Sequence, residues 1–314
     1  MSAQPVLIAL FGPTGVGKTG VALELARLLT TRGERPVAIN CDAIQVYRGL
    51  ETISGTASQE QQAELEHRLI GFVPVDQEFS AGRYAPLARA EIDRALETGR
   101  RPVLVGGTGL YLRAALTGME LRPTVPDELR AEVEAEIERR GPAELHSELP
   151  SQIGDSIHPN DRQRVARATE LLRDGGQPAP DHQRGGELWT ANLRRPAVLV
   201  GLTETDEALT GRIRARVEAM AEAGAGEEAA AALAAGASRT ARAAIGFREF
   251  IEGDLDRVAS LHRRFGRRQM TWMRRMEGVE GIERAGRSDC EVAEDVIRRA
   301  DRISAGLHRA RLTG

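Results

Sequence analysis

Lysine is almost absent from this sequence. Lysine and arginine together number 43, yet Lys18 is the only lysine. Cysteine is also scarce, because Cys41 and Cys290 are the only two, which excludes a disulfide framework and a cysteine-based metal site. A single lysine in an otherwise arginine-only background indicates a position where arginine cannot serve.

Long apolar runs are absent as well. No run approaches the roughly 20 residues that a helix needs to cross a bilayer, so we expect no membrane span. The first residues lack a basic region followed by a cleavable apolar stretch, so we expect no signal peptide. Together these absences predict a cytoplasmic protein without a membrane partner.

The overall charge argues against indiscriminate nucleic-acid binding, because the formal net charge is −3. The charge is nevertheless uneven. Residues 239–275 contain ten arginines and four acidic residues, whereas residues 127–148 are rich in acids. A basic patch of this kind either binds a phosphate polymer or forms a solvated helix face.

Strand and helix patterns alternate along the first part of the chain. Strands are predicted at residues 6–11, 35–42, 101–109 and 196–202, and an amphipathic helix at residues 81–99. This alternation predicts an α/β fold, a parallel sheet flanked by helices. The segment GPTGVGKT, which follows the first strand, predicts that this fold is P-loop NTPase-like. Residues 120–195 show only helical patterns, so we expect a core of residues 1–119 and 196–314, with its C-terminal helices, and a helical insertion domain at 120–195.

The phosphate loop, residues 12–19, matches the pattern G-x-x-x-x-G-K-[ST] between a predicted strand and a predicted helix. Its backbone amides and the following helix N-terminus would hold a phosphorylated ligand. Lys18 would supply a compact charge that the planar arginine side chain cannot replace, and the Thr19 hydroxyl would bind Mg²⁺. The predicted ligand-binding residues are Gly12, Pro13, Thr14, Gly15, Val16, Gly17, Lys18 and Thr19.

Two further residues are expected at the same edge of the sheet, where ligands of parallel α/β folds bind. Asp42 follows the second strand and could orient or deprotonate an acceptor, or else cap a turn. Thr108 follows the third strand and could point into the crevice, or else form a tight turn. The loop alone leaves its ligand open, because any diphosphate with Mg²⁺ would fit.

Eight segments in order resemble the tRNA dimethylallyltransferases. They are GPTGVGKT, DAIQVY, GTA, HRLI, PVLVGGTGLY, IHPNDRQRVARATE, AIGFRE and RRQMTW. The resemblance implies transfer of a dimethylallyl group from dimethylallyl diphosphate to N6 of adenosine 37 in the anticodon stem-loop of tRNA, with Mg²⁺ and release of diphosphate. The chain departs from the family at Ala43, Ser58 and His262, where serine, lysine and threonine are usual.

The resemblance also implies roles for individual residues. Lys18 and Thr19 act on the donor, Asp42 is the general base, Thr108 lies beside the reacting groups and Arg130 comes from the insertion. The residues implied to contact tRNA are Asp42, Ala43, Ile44, Gln45, Thr108, Arg130, Gln163, Arg164, Val165, Ala166 and Arg167. Because adenosine 37 is stacked in the intact loop, its base must be extruded, with the insertion clamping the anticodon loop. We expect a monomer.

Two helices are predicted to have one packed face and one basic face. In residues 161–173 the packed face comprises Val165, Ala168, Thr169 and Leu172, opposite Gln163, Arg164 and Arg167. In residues 258–276 the packed stripe comprises Val258, Leu261, Phe265, Trp272 and Met276, opposite Arg263, Arg267 and Arg274. Gln269 falls within that stripe, which predicts a buried hydrogen bond.

Three other functions remain open on the sequence. A P-loop kinase would share the loop and Asp42 but would leave the basic helices without a role. A prenyltransferase acting on free adenine nucleotides would share the chemistry but not the tRNA-contacting motifs. An RNA-binding protein with an inactive site would not require Lys18, Thr19 and Asp42.

Overall fold

A computed structural model describes residues 5–119, 121, 125–175 and 189–313. The chain forms two compact units, one of Met1–Gly118 with Ala191–Gly314 and the other of Met119–Thr190. Among the described residues, no helix combines the length and apolar character required to cross a membrane.

The first unit is built on a six-stranded parallel sheet in the order β3-β2-β4-β1-β5-β6. The strands are β1 Leu7–Phe11, β2 Pro36–Asn40, β3 His67–Arg68, β4 Arg101–Gly106, β5 Ala197–Thr203 and β6 Val279–Glu283. The predicted α/β fold with a parallel sheet is therefore confirmed.

Helices connect the strands of the first unit. They are α1 Lys18–Thr31, α2 Glu51–Ser54, α3 Gln59–Glu64, α4 Ala81–Glu97 and α5 Gly109–Leu116 before the second unit. The second unit contains α6 Asp127–Arg140, α7 Pro142–Ser147, α8 Ser151–Gly154 and α9 Arg162–Arg173. The first unit resumes with α10 Asp206–Glu222, α11 Ala225–Ala234, α12 Phe247–Glu252, α13 Leu255–Arg275 and α14 Asp289–Thr313.

The central strand β1 explains how the sheet is stabilised. All five of its residues are buried, as its uninterrupted apolar sequence LIALF requires for a strand covered on both faces. Val21, Leu25 and Leu29 of α1 repeat at helical spacing and pack into the same core, which α14 also joins through Val292 and Val296. The core therefore fixes the carboxyl end of β1, where the phosphate loop begins.

Two strands were not anticipated by the sequence patterns. β3 has only two residues, and neither is buried. β6 has the sequence VEGIE, in which Ile282 alone is fully buried, because it lies at the edge of the sheet. Neither strand carries an apolar run or a regular alternation, so pairing with a neighbour determines them.

The second unit has a small core of its own. Val133 and Ile137 of α6, Leu145 of α7 and Val165 and Ala168 of α9 are buried together. No strand occurs among the described residues of this unit. The unit is therefore held together by packing between helices.

Candidate active site

The candidate site lies at the carboxyl edge of the sheet. β1 is flanked by β4 and β5, and β4 separates β1 from β2. Because all pairs are parallel, the segments that follow β1, β2 and β4 leave the sheet at one edge. The phosphate loop, Asp42 and Thr108 are those segments.

The phosphate loop has the backbone conformation that its glycines were expected to supply. Gly15 and Gly17 have φ angles of 80° and 89°, a region that side chains with a Cβ rarely adopt. Gly17 caps the N-terminus of α1, so the first free amides of the helix face the loop. The Lys18 ammonium donates hydrogen bonds to the carbonyls of Gly12 and Pro13, at 2.9 and 3.0 Å.

The electrostatic surroundings of Lys18 are unusual. Burial lowers the pKa of its ammonium to about 8, the Asp42 carboxylate acts in the opposite direction, and the Arg216 guanidinium lowers the pKa further. Lys18 is thus a cation held in a poorly hydrated site and coupled to the carboxylate of Asp42. Such a group gains strongly from the arrival of an anion.

Asp42 is held by its immediate neighbours. Its backbone amide donates to Asn40 Oδ1 at 2.8 Å, and its own Oδ1 accepts a hydrogen bond from the Ile44 amide at 2.9 Å. Asn40 is buried, and its Nδ2 donates to the carbonyls of Asp42 and Leu69. One carboxylate oxygen is therefore engaged by the turn, which fixes the direction of the other.

Thr108 joins the segment after β4 to the segment after β2. Its hydroxyl accepts a hydrogen bond from the Ala43 amide at 3.1 Å, and its amide donates to the Cys41 carbonyl at 3.2 Å. The two segments approach so closely that a Cβ on Gly106 would lie 2.3 Å from the Cys41 carbonyl carbon. Thr108 is therefore placed beside the backbone that carries Asp42.

Gln269 connects the phosphate loop with the segment after β4. Its Oε1 accepts a hydrogen bond from the Thr14 amide, and its Nε2 donates to the Gly107 carbonyl, both at 2.8 Å. Gln269 is 4% exposed. The buried hydrogen bond predicted for this residue is confirmed, and the structure shows that it stabilises the loop itself.

The packed stripe predicted for α13 is wrong in part. Val258 and Met276 are buried as expected, but Leu261, Phe265 and Trp272 are only half-buried. The buried face is rotated toward His262, Gly266, Gln269 and Met273. The reason is that this face packs on the phosphate loop, where a small residue and a hydrogen-bonding side chain fit better than large apolar ones.

Sequence reasoning missed Arg216 of α10. Its Nη2 donates to the Ser54 carbonyl at 3.4 Å. Burial lowers the pKa of Arg216, while the Asp42 carboxylate raises it. No local pattern marks this arginine among the many others of the chain.

His262 of α13 lies close to Arg216. It is 4% exposed, and neither ring nitrogen has a partner among the described residues. Burial lowers the pKa of His262 to about 4, and Arg216 lowers it further, so the ring is neutral near pH 7. The only sequence feature that singled out His262 was its departure from the threonine that is usual in the family.

The remaining predicted contacts of the first unit lie in the turn after Asp42. Ala43 and Ile44 are half-buried. Gln45 Nε2 donates to the carbonyls of Gly55 at 3.2 Å and Ser54 at 3.4 Å. The side chain of Gln45 therefore holds the end of α2, where Arg216 donates to the same Ser54 carbonyl.

The second unit carries the other predicted contacts. Arg130 lies in the first turn of α6 and pairs with Asp127 at 3.2 Å. On α9, Gln163 and Arg164 are exposed, and Arg167 pairs with the buried Glu170 at 2.7 Å.

Two of the predicted tRNA contacts on the same helix lie at buried positions, and their contact with tRNA stays a prediction. Val165 and Ala166 are 0% and 3% exposed and pack inside the second unit, so their side chains do not reach its surface. Ala166 is buried because the packed face of α9 is wider than the predicted stripe of residues.

The donor set at the loop suits a hard cation that is shared with a ligand. Thr19 places a half-buried hydroxyl in the first turn of α1. Within the described part of the chain, no group of three or more His, Cys, Asp or Glu side chains is placed to hold a metal alone. The binding of a metal by Thr19 stays a prediction.

Comparison with known proteins agrees with this geometry. Residues 45–276 match the family model described as IPP transferase. The tRNA dimethylallyltransferase of Nitratidesulfovibrio vulgaris (strain DP4) is 37% identical over 284 residues, 86% of this chain and 89% of that protein. The tRNA dimethylallyltransferase of Anaeromyxobacter dehalogenans (strain 2CP-C) is 38% identical over 293 residues, 88% of this chain and 94% of that protein.

Solved structures give the same picture. The full-length tRNA isopentenylpyrophosphate transferase from Bacillus halodurans is 29% identical, with a TM-score of 0.67 over 97% of this chain and 99% of that chain. A eukaryotic dimethylallyltransferase acting on tRNA shares the fold, with a TM-score of 0.70 and 22% identity over 90% of this chain and 74% of that chain. The chain therefore belongs to the IPP transferase family and is a prenyltransferase.

Proposed function

We propose that this chain transfers a dimethylallyl group from dimethylallyl diphosphate to N6 of adenosine 37 in tRNA and releases diphosphate. The observation that carries the proposal is that Lys18, held on the phosphate-loop carbonyls, and Asp42, held by the Ile44 amide, follow strands that end at the same edge of the sheet. The Lys18 ammonium can stabilise a departing diphosphate, and the Asp42 carboxylate can accept the proton of an attacking amine.

The phosphate loop is the donor site in this proposal. The bond between the allylic carbon and the diphosphate oxygen breaks, and negative charge accumulates on the leaving group. Lys18 and the loop amides stabilise that charge, because a desolvated cation and fixed dipoles act strongly on an anion at close range. Gln269 keeps the loop in place through the Thr14 amide.

Asp42 is the general base in this proposal. As the bond between the allylic carbon and N6 forms, a proton leaves N6 and passes to the free carboxylate oxygen of Asp42. The Ile44 amide holds the other oxygen, so the accepting one has a fixed direction. Thr108, whose hydroxyl contacts the Ala43 amide, positions the backbone next to Asp42.

Mg²⁺ is the metal that we propose for the donor site. It keeps several of its waters and binds through one or two protein oxygens together with substrate phosphates, and the Thr19 hydroxyl, in the first turn of α1, is the protein oxygen that we propose for it. When bound, it neutralises part of the charge on the diphosphate.

The second unit is proposed to bind the anticodon stem-loop. Gln163 and Arg164 are exposed on α9, Arg167 is half-buried beside Glu170, and Arg130 lies in the first turn of α6. We propose that these residues grip the RNA while adenosine 37 is extruded toward Asp42, because a stacked base cannot present N6 to a partly buried carboxylate. The monomeric state and the cytoplasmic location stay predictions.

The test is incubation of the chain with labelled dimethylallyl diphosphate and Mg²⁺ and with either bulk tRNA or AMP. We expect label in tRNA, mapped to adenosine 37, and little label in AMP. An Asp42→Asn variant should lose about 10²-fold or more in kcat, the effect of removing a positioned proton acceptor. Efficient labelling of AMP but not of tRNA would instead assign the chain to free-nucleotide prenylation.

A further inference from the structure

Arg284, which the proposed mechanism does not use, lies directly behind the phosphate loop. It is the first residue after β6, and its backbone amide donates to the Thr203 carbonyl at 2.9 Å, which continues the pairing of β6 with β5. Its side chain is buried, with 5% of the residue exposed. The residue that follows the edge strand β6 thus places its guanidinium against the phosphate loop.

Two contacts fix this guanidinium. Its Nη1 donates to the Val16 carbonyl at 2.7 Å, and its Nη2 pairs with Asp289, the first residue of α14. A Cβ on Gly17 would lie 2.0 Å from Nη1. Glycine at position 17 is therefore required both by the backbone φ angle and by the presence of Arg284.

The same pair also lies against the first turn of α1, at Gly20. A Cβ on Gly20 would lie 2.0 Å from Oδ2 of Asp289. Gly20 follows the motif G-x-x-x-x-G-K-[ST], so the motif does not account for it. A larger residue at position 20 would have to displace the Asp289 carboxylate.

The carbonyl that Arg284 contacts is chemically linked to ligand binding. The Val16 carbonyl and the Gly17 amide belong to one peptide unit, and the amides of such a loop are the groups that donate to phosphate oxygens. A charged donor on the carbonyl polarises the peptide and makes its N–H a stronger donor, because hydrogen bonds in a chain reinforce one another. Arg284 can therefore act on an anion that it does not touch.

We propose that Arg284, held by Asp289, is a positioning residue of the diphosphate site. It holds and polarises the Val16–Gly17 peptide, so that the phosphate loop binds diphosphate more tightly. The inference rests on the proposed function only in taking a diphosphate as the ligand of the loop, and it does not depend on the acceptor.

Arg101 offers a matched control. It is also buried, at 7% exposed, and donates to a carbonyl of the same region of the chain, that of Val6. It is likewise paired with one acid, Glu34, at 2.7 Å. Arg101 begins β4, whereas the phosphate loop follows the far end of β1, so its removal should reduce stability without affecting the loop.

The experiment is a calorimetric titration of inorganic diphosphate, with Mg²⁺, into the full chain. We expect Arg284→Met to raise the Kd for diphosphate about tenfold, Arg284→Lys to recover most of that loss, and Arg101→Met to leave the Kd within about twofold. Both methionine variants should lower Tm. In steady-state assays Arg284→Met should raise KM for the donor more than it lowers kcat.

An unchanged Kd in Arg284→Met, or an equal loss of affinity in Arg101→Met, would overturn the proposal and leave Arg284 a structural residue. Should Arg284→Met fail to fold, Asp289→Asn takes its place, with an expected rise of about threefold in Kd; a wild-type Kd in Asp289→Asn would then overturn the proposal. If these affinities hold while the wild type fails to prenylate tRNA, the proposed function falls and this inference stands.

Discussion

At the scale of the residue, Lys18 shows how burial adapts an ordinary side chain to its task. Burial lowers the pKa of its ammonium to about 8, so near pH 7 it is charged but poorly hydrated. Lysine can lose its proton in the accessible range of pH, whereas arginine cannot. In the proposed function, the only lysine of the chain is the compact cation that meets the diphosphate.

The pH dependence of donor capture follows from this pKa. Because the neutral amine does not attract diphosphate, kcat/KM for the donor should fall above about pH 8 by about tenfold per pH unit. At saturating donor the bound diphosphate stabilises the ammonium, so the decline in kcat should move to higher pH. Steady-state rates between pH 6 and 10 measure both effects.

Lys18→Arg is the control for that measurement. Its guanidinium stays charged throughout the range, so the decline near pH 8 should disappear, although the overall rate should be low because the planar group fits the loop poorly. A wild-type kcat/KM that stays constant to pH 10 would contradict the role given to the Lys18 ammonium.

At the scale of the element, α13 links the loops of the site. Gln269→Leu removes the hydrogen-bond partner of the Thr14 amide and of the Gly107 carbonyl. We therefore expect the free energy of unfolding to fall by about 1–3 kcal/mol. The KM for the donor should also rise, because the Thr14 amide is part of the phosphate loop. Denaturant unfolding and donor kinetics measure the two effects.

Thr271 on the same helix provides the comparison. It is exposed, and its hydroxyl donates only to the Arg267 carbonyl of its own helix. Thr271→Ala should therefore change neither stability nor KM appreciably. Equal effects of the two substitutions would show that Gln269 acts on the helix and not on the loop.

The elements also show what could be predicted from the sequence. β1, the phosphate loop and α1 were predictable, because their signals lie within the continuous stretch of residues 7–31 and depend on local geometry. The buried face of α13 was misassigned, because the loop on which it packs is distant in sequence and favours Gly266 and Gln269 over large apolar residues. Arg216 and Arg284 reach the site from α10 and from the end of β6, and no local pattern separates them from the other arginines.

At the scale of the whole molecule, the net charge of −3 requires that any affinity for tRNA come from local arginines. On α9 these differ in their environment. Arg167 pairs with Glu170, whose side chain is only 5% exposed, so its removal would leave a buried acid uncompensated. The Arg164 side chain is 56% exposed and pairs at 3.5 Å with Asp161, whose side chain is 38% exposed, so breaking this pair leaves no deeply buried charge and Arg164 is the better position for a test.

We expect Arg164→Ala to weaken tRNA binding and to lower the slope of log K against log[salt] by about 0.7–0.9, the contribution of one phosphate contact. Donor affinity should stay the same, because the phosphate loop belongs to the other unit. Arg140→Ala is the matched control, because Arg140 forms ion pairs with Glu136, Glu144 and Glu148 within the second unit. It should lower the stability of that unit while the salt slope stays constant. An Arg164→Ala variant with wild-type slope and affinity would remove α9 from the tRNA-binding surface and direct the search to the exposed arginines of α13.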